Sequence, residues 1–342
     1  MRPAERYSRQ TRFRPIGEAG QARIARASVL LVGVGALGTH LADMLVRAGI
    51  GRLWLVDRDI VELSNLQRQI LFGEADAAAG TPKAIAAAAQ LARIDSQCRI
   101  EPLVTDFGPD TYAALRAKPD LILDGTDNFP TRHLLNDLAV KEQIPWIYGG
   151  AIGAEGMALA VLPGWPCLRC LLPEAPPAGE GPTCETAGIL APTIAAVTAF
   201  QGVQALKILA GTPEAVPRGL HCWDLWRNTQ QVLLADAQPD PACATCGTRT
   251  FPALTLRPPQ AQSLCGREAV QVLPVSGQTI ELDRLAAHLH GARIAVEHTD
   301  QMLRFAADGC RFSVFRGGRA IVFGTADLQR ARALYDRWIG AR

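Results

Sequence analysis

The stretch VLLVGVGALGTHLADMLVRAGIGRLWLVDRD, residues 29–59, decides the fold. Its apolar opening, SVLLVG with the preceding serine, reads as a buried strand. Gly33, Gly35 and Gly38 follow as G-x-G-x-x-G, a helix is expected from Ala36 to Ala48, and RLWLVD is the next strand, ending in Asp57. Strand, glycine turn, helix, strand and acid make up the nucleotide-binding half of a doubly wound, Rossmann-like α/β sheet. The first glycine permits the tight turn. The second lets backbone approach phosphates, and the third lets helix and strand pack closely. The first amides of the helix then face an anion. Asp57 stands where a ribose hydroxyl is bound, with Asp59 beside it. The motif alone does not choose between a dinucleotide and ATP.

The residues after it narrow the choice. IVELSNLQRQ places Asn65, Arg68 and Gln69 just past the ribose acid, and Lys83 comes at a helix start. Asp127, in DGTDN, falls at the end of a later strand, where open α/β sheets collect ligand groups. Two cations, two amides and a carboxylate beside a phosphate loop make a triphosphate and Mg²⁺ site. A hydride-transfer enzyme needs a proton-relay residue near its nicotinamide, and no candidate stands out.

Strand–helix alternation continues outward. TPKAIAAAAQLARID reads as a helix with Thr81 as N-cap and Pro82 at its first position. RIEPLV and DLILDGTDN are strands, 128–142 a helix, and IPWIYGGA another strand. This pattern predicts a mostly parallel sheet covered on both faces. After Gly150 come hairpin-like strands, a C-x-x-C pair, and the proline- and glycine-rich loop LLPEAPPAGEGPTCET. Residues 187–211 form a long apolar segment, but Thr193, Thr198, Gln201, Gln204 and Lys207 interrupt it. A core or subunit-interface helix is expected there rather than a membrane span. TFPALTLRPPQAQS looks like a linker. The expected division is a nucleotide-binding domain over 1–249, a linker over 250–264 and a small α+β domain over 265–342. The internal pair Gly317–Gly318 reads as a hairpin turn.

The chain has 342 residues, a formal charge of +2 and 48% hydrophobic residues, enough for a large core and a smaller one. No basic cluster points to nucleic acid. The polar, arginine-rich start shows no apolar signal core, and Glu5 and Glu18 argue against a mitochondrial leader, so a cytoplasmic location is expected. Nine cysteines are present. Four fall in two C-x-x-C pairs, Cys167 with Cys170 and Cys243 with Cys246, which read as metal binding or thiol chemistry. Four thiolates make a closed structural zinc site, and a redox-active pair is the alternative. Cys98, Cys222, Cys265 and Cys310 read as small buried residues, and Cys184 sits just after the proline-rich loop.

In order, RYSRQ, GVGALG, DRDIVELSNLQRQ, TPK, DGTDNFPTR, CLRC, TCETAGILAP and CATC resemble the ThiF/MoeB family, the bacterial relatives of ubiquitin-activating enzymes. The resemblance covers about residues 6–247. It implies ATP-dependent adenylylation of the C-terminal glycine of a ubiquitin-like sulfur carrier protein ending in Gly-Gly, with release of pyrophosphate. By motif position it assigns Asp57 to the ribose, Asp127 to Mg²⁺, and Lys83, Arg68 and Asn65 to the phosphates. It assigns Arg9 to the phosphates of a partner subunit in a homodimer, structural zinc to the four paired cysteines, and a covalent role to Cys184. A separate sulfur donor protein is also implied. The extra C-terminal domain resembles that of longer ThiF proteins, which points to a ThiS-like carrier and thiamine thiazole synthesis. MoeB-type activation of the molybdopterin synthase carrier and peptide or natural-product tailoring by the same adenylation are the alternatives. From other classes, an NAD(P)-dependent dehydrogenase and a non-catalytic binding module remain to be weighed.

Overall fold

The computed structural model describes residues 4–173, 186–233, 238–256, 260–263, 268–274 and 280–340. The chain forms two units, Met1–Leu256 and Arg257–Arg342.

The first unit is built on an eight-stranded sheet. Its strands are β1 (Ser28–Val32), β2 (Arg52–Val56), β3 (Arg99–Leu103), β4 (Leu121–Asp124), β5 (Trp146–Ile152), β6 (Glu155–Val161), β7 (Leu220–Asp224) and β8 (Thr229–Leu233). Their order is β3-β2-β1-β4-β5-β6-β7-β8. The first five run parallel and the last three join by antiparallel pairs. This is the mostly parallel, doubly wound sheet the alternation predicts, extended by the hairpin strands after Gly150.

The apolar run of β1 explains why it lies centrally. Val29 and Leu31 enter the core on one face, with Leu41, Leu45 and Ala205. Leu30 and Val32 enter the core on the other, with Leu135 and Leu138. A strand buried on both faces needs a continuous apolar sequence, and β1 has one. Helices Ala36–Ala48, Lys83–Ile94 and Ala191–Ala210 supply the first face, and Phe129–Glu142 the second. Ala191–Ala210 is long and apolar enough to cross a bilayer. Here it packs on β5, β6 and Ala36–Ala48. The buried Gln201 on it donates to the Asp124 and Ile147 carbonyls, as a core helix does.

One local expectation is corrected. Thr81 does not cap its helix; Pro82 is the N-cap and Lys83 the first helical residue. The Thr81 carbonyl accepts from the Val61 N–H, and Ile60 and Pro82 form an isolated bridge. The chain is therefore still extended at residue 82.

In the second unit, β9 (Ala261–Ser263), β10 (Ala269–Val272), β11 (Val296–His298), β12 (Met302–Ala307), β13 (Cys310–Phe315) and β14 (Ala320–Phe323) form an antiparallel sheet in the order β11-β12-β13-β14-β10-β9. Helices Leu282–Gly291 and Leu328–Tyr335 cover it around Phe305, Phe312, Val314 and Tyr335. The first of these helices was not anticipated from sequence. Gly317 and Gly318, at φ 90° and 93°, lie between β13 and β14 in the expected hairpin turn. The division between units falls inside the stretch read as a linker. Pro252–Thr255 forms a 3₁₀ turn against helix Phe129–Glu142, and β9 joins the second sheet.

Candidate functional site

The glycine loop leaves the end of β1 and turns under the end of β4. Gly33, at φ 87°, could not carry a side chain, because a Cβ would lie 2.6 Å from the Gly125 carbonyl. At Gly38 a Cβ would lie 1.9 Å from the Gly33 carbonyl oxygen. These two glycines answer to the protein's own packing. Gly35 does not, since a Cβ there would find nothing nearer than the Gln69 amide nitrogen at 3.9 Å. The space above Gly35, at the N-terminus of helix Ala36–Ala48, is open and could admit an anionic group such as a phosphate.

Asp57 closes the loop from the end of β2. Its carboxylate accepts from the Val34 N–H and the Asp59 N–H, each at 2.7 Å. Burial pushes this carboxyl up from its usual value, while Lys83 and the two N–H donors pull it down. Asp59 in turn receives Lys83 on its side chain at 3.3 Å. The lysine stem is buried, so its charge is aimed before any ligand arrives.

The SNLQRQ segment lies beside this cluster. Asn65 is buried, and its side-chain oxygen accepts from the Glu62 N–H at 3.1 Å, which caps a short 3₁₀ turn. Gln69 is buried against Gly35, and its Oε1 has no hydrogen-bond partner among the described residues. Half-buried Arg68 donates to the Ser64 carbonyl at 2.9 Å. His40 bonds the Arg68 backbone; burial lowers its pKa, and Asp43 and that bond oppose the shift. An orphaned amide oxygen facing an open glycine from a neighbouring loop fits a polar ligand, not a packed core.

Asp127 is exposed just past the end of β4, the strand next to β1. Its loop rests on a buried ion pair that sequence reading missed. Asp124 is fully buried, with Thr126 donating to its Oδ1 from backbone and hydroxyl, and Arg132 Nε 3.5 Å from its Oδ2. Arg132 also donates to the Thr126 and Gly149 carbonyls at 2.9 and 3.3 Å, and so joins β4 to β5 beneath Asp127. Burial raises the Asp124 carboxyl, and Arg132 is the main opposing influence. The available signal was spacing: Arg132 lies in the first turn of a helix capped by Asn128, whose side chain accepts from the Thr131 N–H.

Arg9 is not brought to this cluster within the chain. It is exposed on the short helix Ser8–Thr11. Its neighbour Gln10 donates to the carbonyl of Ala48, the last residue of the glycine-loop helix. That helix has 13 residues. At 1.5 Å per residue its two ends are about 20 Å apart, beyond the reach of an arginine side chain.

Cys167, Cys170, Cys243 and Cys246 converge, with all four sulfurs within 4.8 Å of one another. The 167–243 and 170–246 sulfur pairs are 3.6 and 3.3 Å apart. A disulfide needs about 2.05 Å. A tetrahedral ion with bonds of about 2.3 Å puts its sulfurs about 3.8 Å apart, close to the spacing seen. The cluster therefore fits a metal ion such as zinc, and crossed pairing of the two motifs does not fit a C-x-x-C redox pair. Among the remaining cysteines, Cys98 and Cys310 are buried as expected, whereas Cys222 is half exposed. Cys184, Cys265 and most of the proline-rich loop lie outside the described residues.

Comparison with known proteins agrees with this geometry. The ThiF family model matches residues 7–245. The chain is 42% identical to the sulfur carrier protein ThiS adenylyltransferase of Bacillus subtilis, over 98% of this chain and 99% of that protein. It is 37% identical to the SAMP-activating enzyme E1 of Haloferax volcanii, over 71% of this chain and 88% of that one. The structure of Escherichia coli MccB with ATP shares the fold at a TM-score of 0.60 and 21% identity, over 71% of this chain and 74% of that one. A doubly wound sheet with an open glycine loop, matched by the family model over more than half its length, places this chain in the ThiF family.

Proposed function

We propose that this protein is an ATP-dependent adenylyltransferase that activates the C-terminal glycine carboxylate of a ubiquitin-like sulfur carrier of the ThiS type. The observation that carries the reading is the loop itself. Gly35 is open where the packing glycines are closed, and it faces Gln69 with a buried lysine and two carboxylates alongside. Family membership sets the hydride-transfer reading aside. The ThiS-type carrier is favoured over the molybdopterin carrier because the similarity to the Bacillus ThiS adenylyltransferase runs through the second unit as well.

The chemistry asks little covalent work of the protein. An ionised carboxylate attacks the α-phosphate without a general base, so alignment and charge neutralisation suffice. The helix N-terminus after Gly35 and the Lys83 ammonium hold the phosphates, and Arg68 and Asn65 flank them. Asp57 fixes the loop from below while its second-strand position serves the ribose. Asp127 would hold Mg²⁺, which supplies further neutralisation when bound. The distance between Arg9 and its own glycine loop supports action on a second copy of the chain, hence a homodimer. The Cys₄ cluster would hold zinc as a closed structural site with no open position. Cys184 is assigned the later sulfur-transfer step, with a separate protein as sulfur donor. A cytoplasmic location accords with this chemistry.

Isotope exchange between pyrophosphate and ATP, dependent on a small carrier ending in Gly-Gly, tests the adenylation. Mass spectrometry of carrier, ATP and a persulfide donor with wild type and Cys184→Ser tests the thiol role. The mutant should retain adenylation and lose a covalent carrier–enzyme species. Equal thiocarboxylate yield from both, with no adduct in either, would remove Cys184 from the mechanism.

A further inference from the structure

The helix Phe129–Glu142 that braces Asp127's loop through Arg132 also carries Asn136 and Asp137, both fully buried. Neither belongs to the nucleotide cluster, and most of their partners lie on the cysteine loops. The Asp137 carboxylate accepts at Oδ1 from Arg169 Nε at 3.1 Å, and Arg169 lies between Cys167 and Cys170. The same oxygen accepts from the hydroxyl of Thr245, which lies between Cys243 and Cys246 and is itself fully buried. Oδ2 accepts from the Ala253 N–H at 2.8 Å, seven residues beyond Cys246. One buried carboxylate thus contacts one interior residue of each C-x-x-C loop, although the loops are 76 residues apart in sequence.

Asn136 completes the arrangement. Its side-chain oxygen accepts from the Leu168 N–H at 2.9 Å, which fixes the orientation of the amide. The amide nitrogen is then a buried donor with no acceptor of its own among the described residues. It lies beside the Cys167 sulfur, next to the Leu168 N–H that holds the amide. A thiolate at Cys167, were a metal bound there, would offer that donor an acceptor.

We propose that Asp137 is the positioning residue of the Cys₄ centre, with Asn136 orienting Cys167: the carboxylate clamps the two C-x-x-C loops at the spacing a tetrahedral metal requires. The inference rests on the reading of the cysteine cluster as a metal site. It explains why a carboxylate is retained where an apolar side chain would fill the helix–loop contact at no desolvation cost. A buried acid held only for packing would not need one donor from each loop. Arg169 also balances the carboxylate charge and brings a cation near a centre that four thiolates make negative.

The test uses the full chain loaded with cobalt(II), whose thiolate absorption reports the ligand geometry, challenged with a chelator. Wild type, Asp137→Asn and Thr245→Val are compared. Asp137→Asn should lose cobalt to a chelator concentration ten- to a hundred-fold lower than wild type and show an altered thiolate spectrum, the size of effect expected for groups that orient ligands. Thr245→Val removes one loop's bond without removing the carboxylate, and should shift in the same direction by less. If Asp137→Asn fails to fold by circular dichroism, Thr245→Val decides. Equal affinity and an unchanged spectrum in a folded variant would overturn the role of Asp137. A wild type that takes up no cobalt with a thiolate spectrum would instead remove the metal reading itself, and the clamp with it.

Discussion

The Lys83 ammonium lies 3.3 Å from the Asp59 carboxylate, and the Lys83 backbone N–H donates to the Asp59 carbonyl at 2.9 Å. The lysine is thus held twice by one residue, at the first turn of its helix. A cation aimed in advance costs no reorganisation when a phosphate arrives, which is the condition for strong electrostatic catalysis. Lys83→Ala should lower carrier-dependent ATP–pyrophosphate exchange about a hundred- to a thousand-fold. A loss below ten-fold would show that Lys83 serves only its partner Asp59.

The glycines of the loop separate folding from binding. Gly35→Ala should fold with a stability change below about 1 kcal/mol, because its Cβ meets nothing closer than 3.9 Å, yet it should lose ATP affinity. Gly38→Ala should fold poorly, because its Cβ would collide with the Gly33 carbonyl at 1.9 Å. Thermal denaturation with and without ATP distinguishes the two. Full ATP stabilisation of Gly35→Ala would mean that the open space is not the phosphate site.

Arg132 and Asp124 make a pH-dependent prediction. Arg132→Met leaves a buried carboxylate uncompensated and should cost about 3–5 kcal/mol near neutral pH. Burial already raises the Asp124 carboxyl above its usual 3.8, and removing the arginine raises it further. A carboxyl with a raised native pKa holds its proton more tightly folded than unfolded. Its stabilising contribution is complete below the usual value and lost as pH rises through the raised one. The deficit of Arg132→Met relative to wild type should therefore shrink as pH falls toward about 4. Denaturant melts at several pH values measure this, and a deficit that grows on acidification would contradict the assignment.

The position of Arg9 makes a prediction about assembly. Mixed dimers of Arg9→Ala and Asp127→Ala subunits should regain activity, because one of their two sites then carries both native residues. Heterodimers that form and remain inactive would contradict action of Arg9 across the dimer.

The sequence made the glycine loop, the parallel strands and the four converging cysteines readable, each for a physical reason. Two-faced burial of β1 demands an unbroken apolar run, and G-x-G-x-x-G between strand and helix admits few other uses. Asp124, Arg132, Asn136 and Asp137 were not readable as site residues, since charged side chains in an ordinary sequence are mostly solvated. Their spacing did carry a signal. Arg132 with Asn136, and His133 with Asp137, repeat at four residues and so share a helix face, and all four are buried. The helix Leu282–Gly291 was not singled out within the small α+β domain, and Thr81 was misread because the Ile60–Pro82 bridge that keeps residue 82 extended is a long-range contact.

The most direct measurement is exchange of labelled pyrophosphate into ATP by the purified protein with Mg²⁺ and a ThiS-type carrier ending in Gly-Gly. Exchange should appear with that carrier, vanish when the carrier's terminal glycine is removed, and fall by orders of magnitude in Asp127→Ala. Absence of exchange with any Gly-Gly carrier, together with tight binding of NADH, would contradict the account.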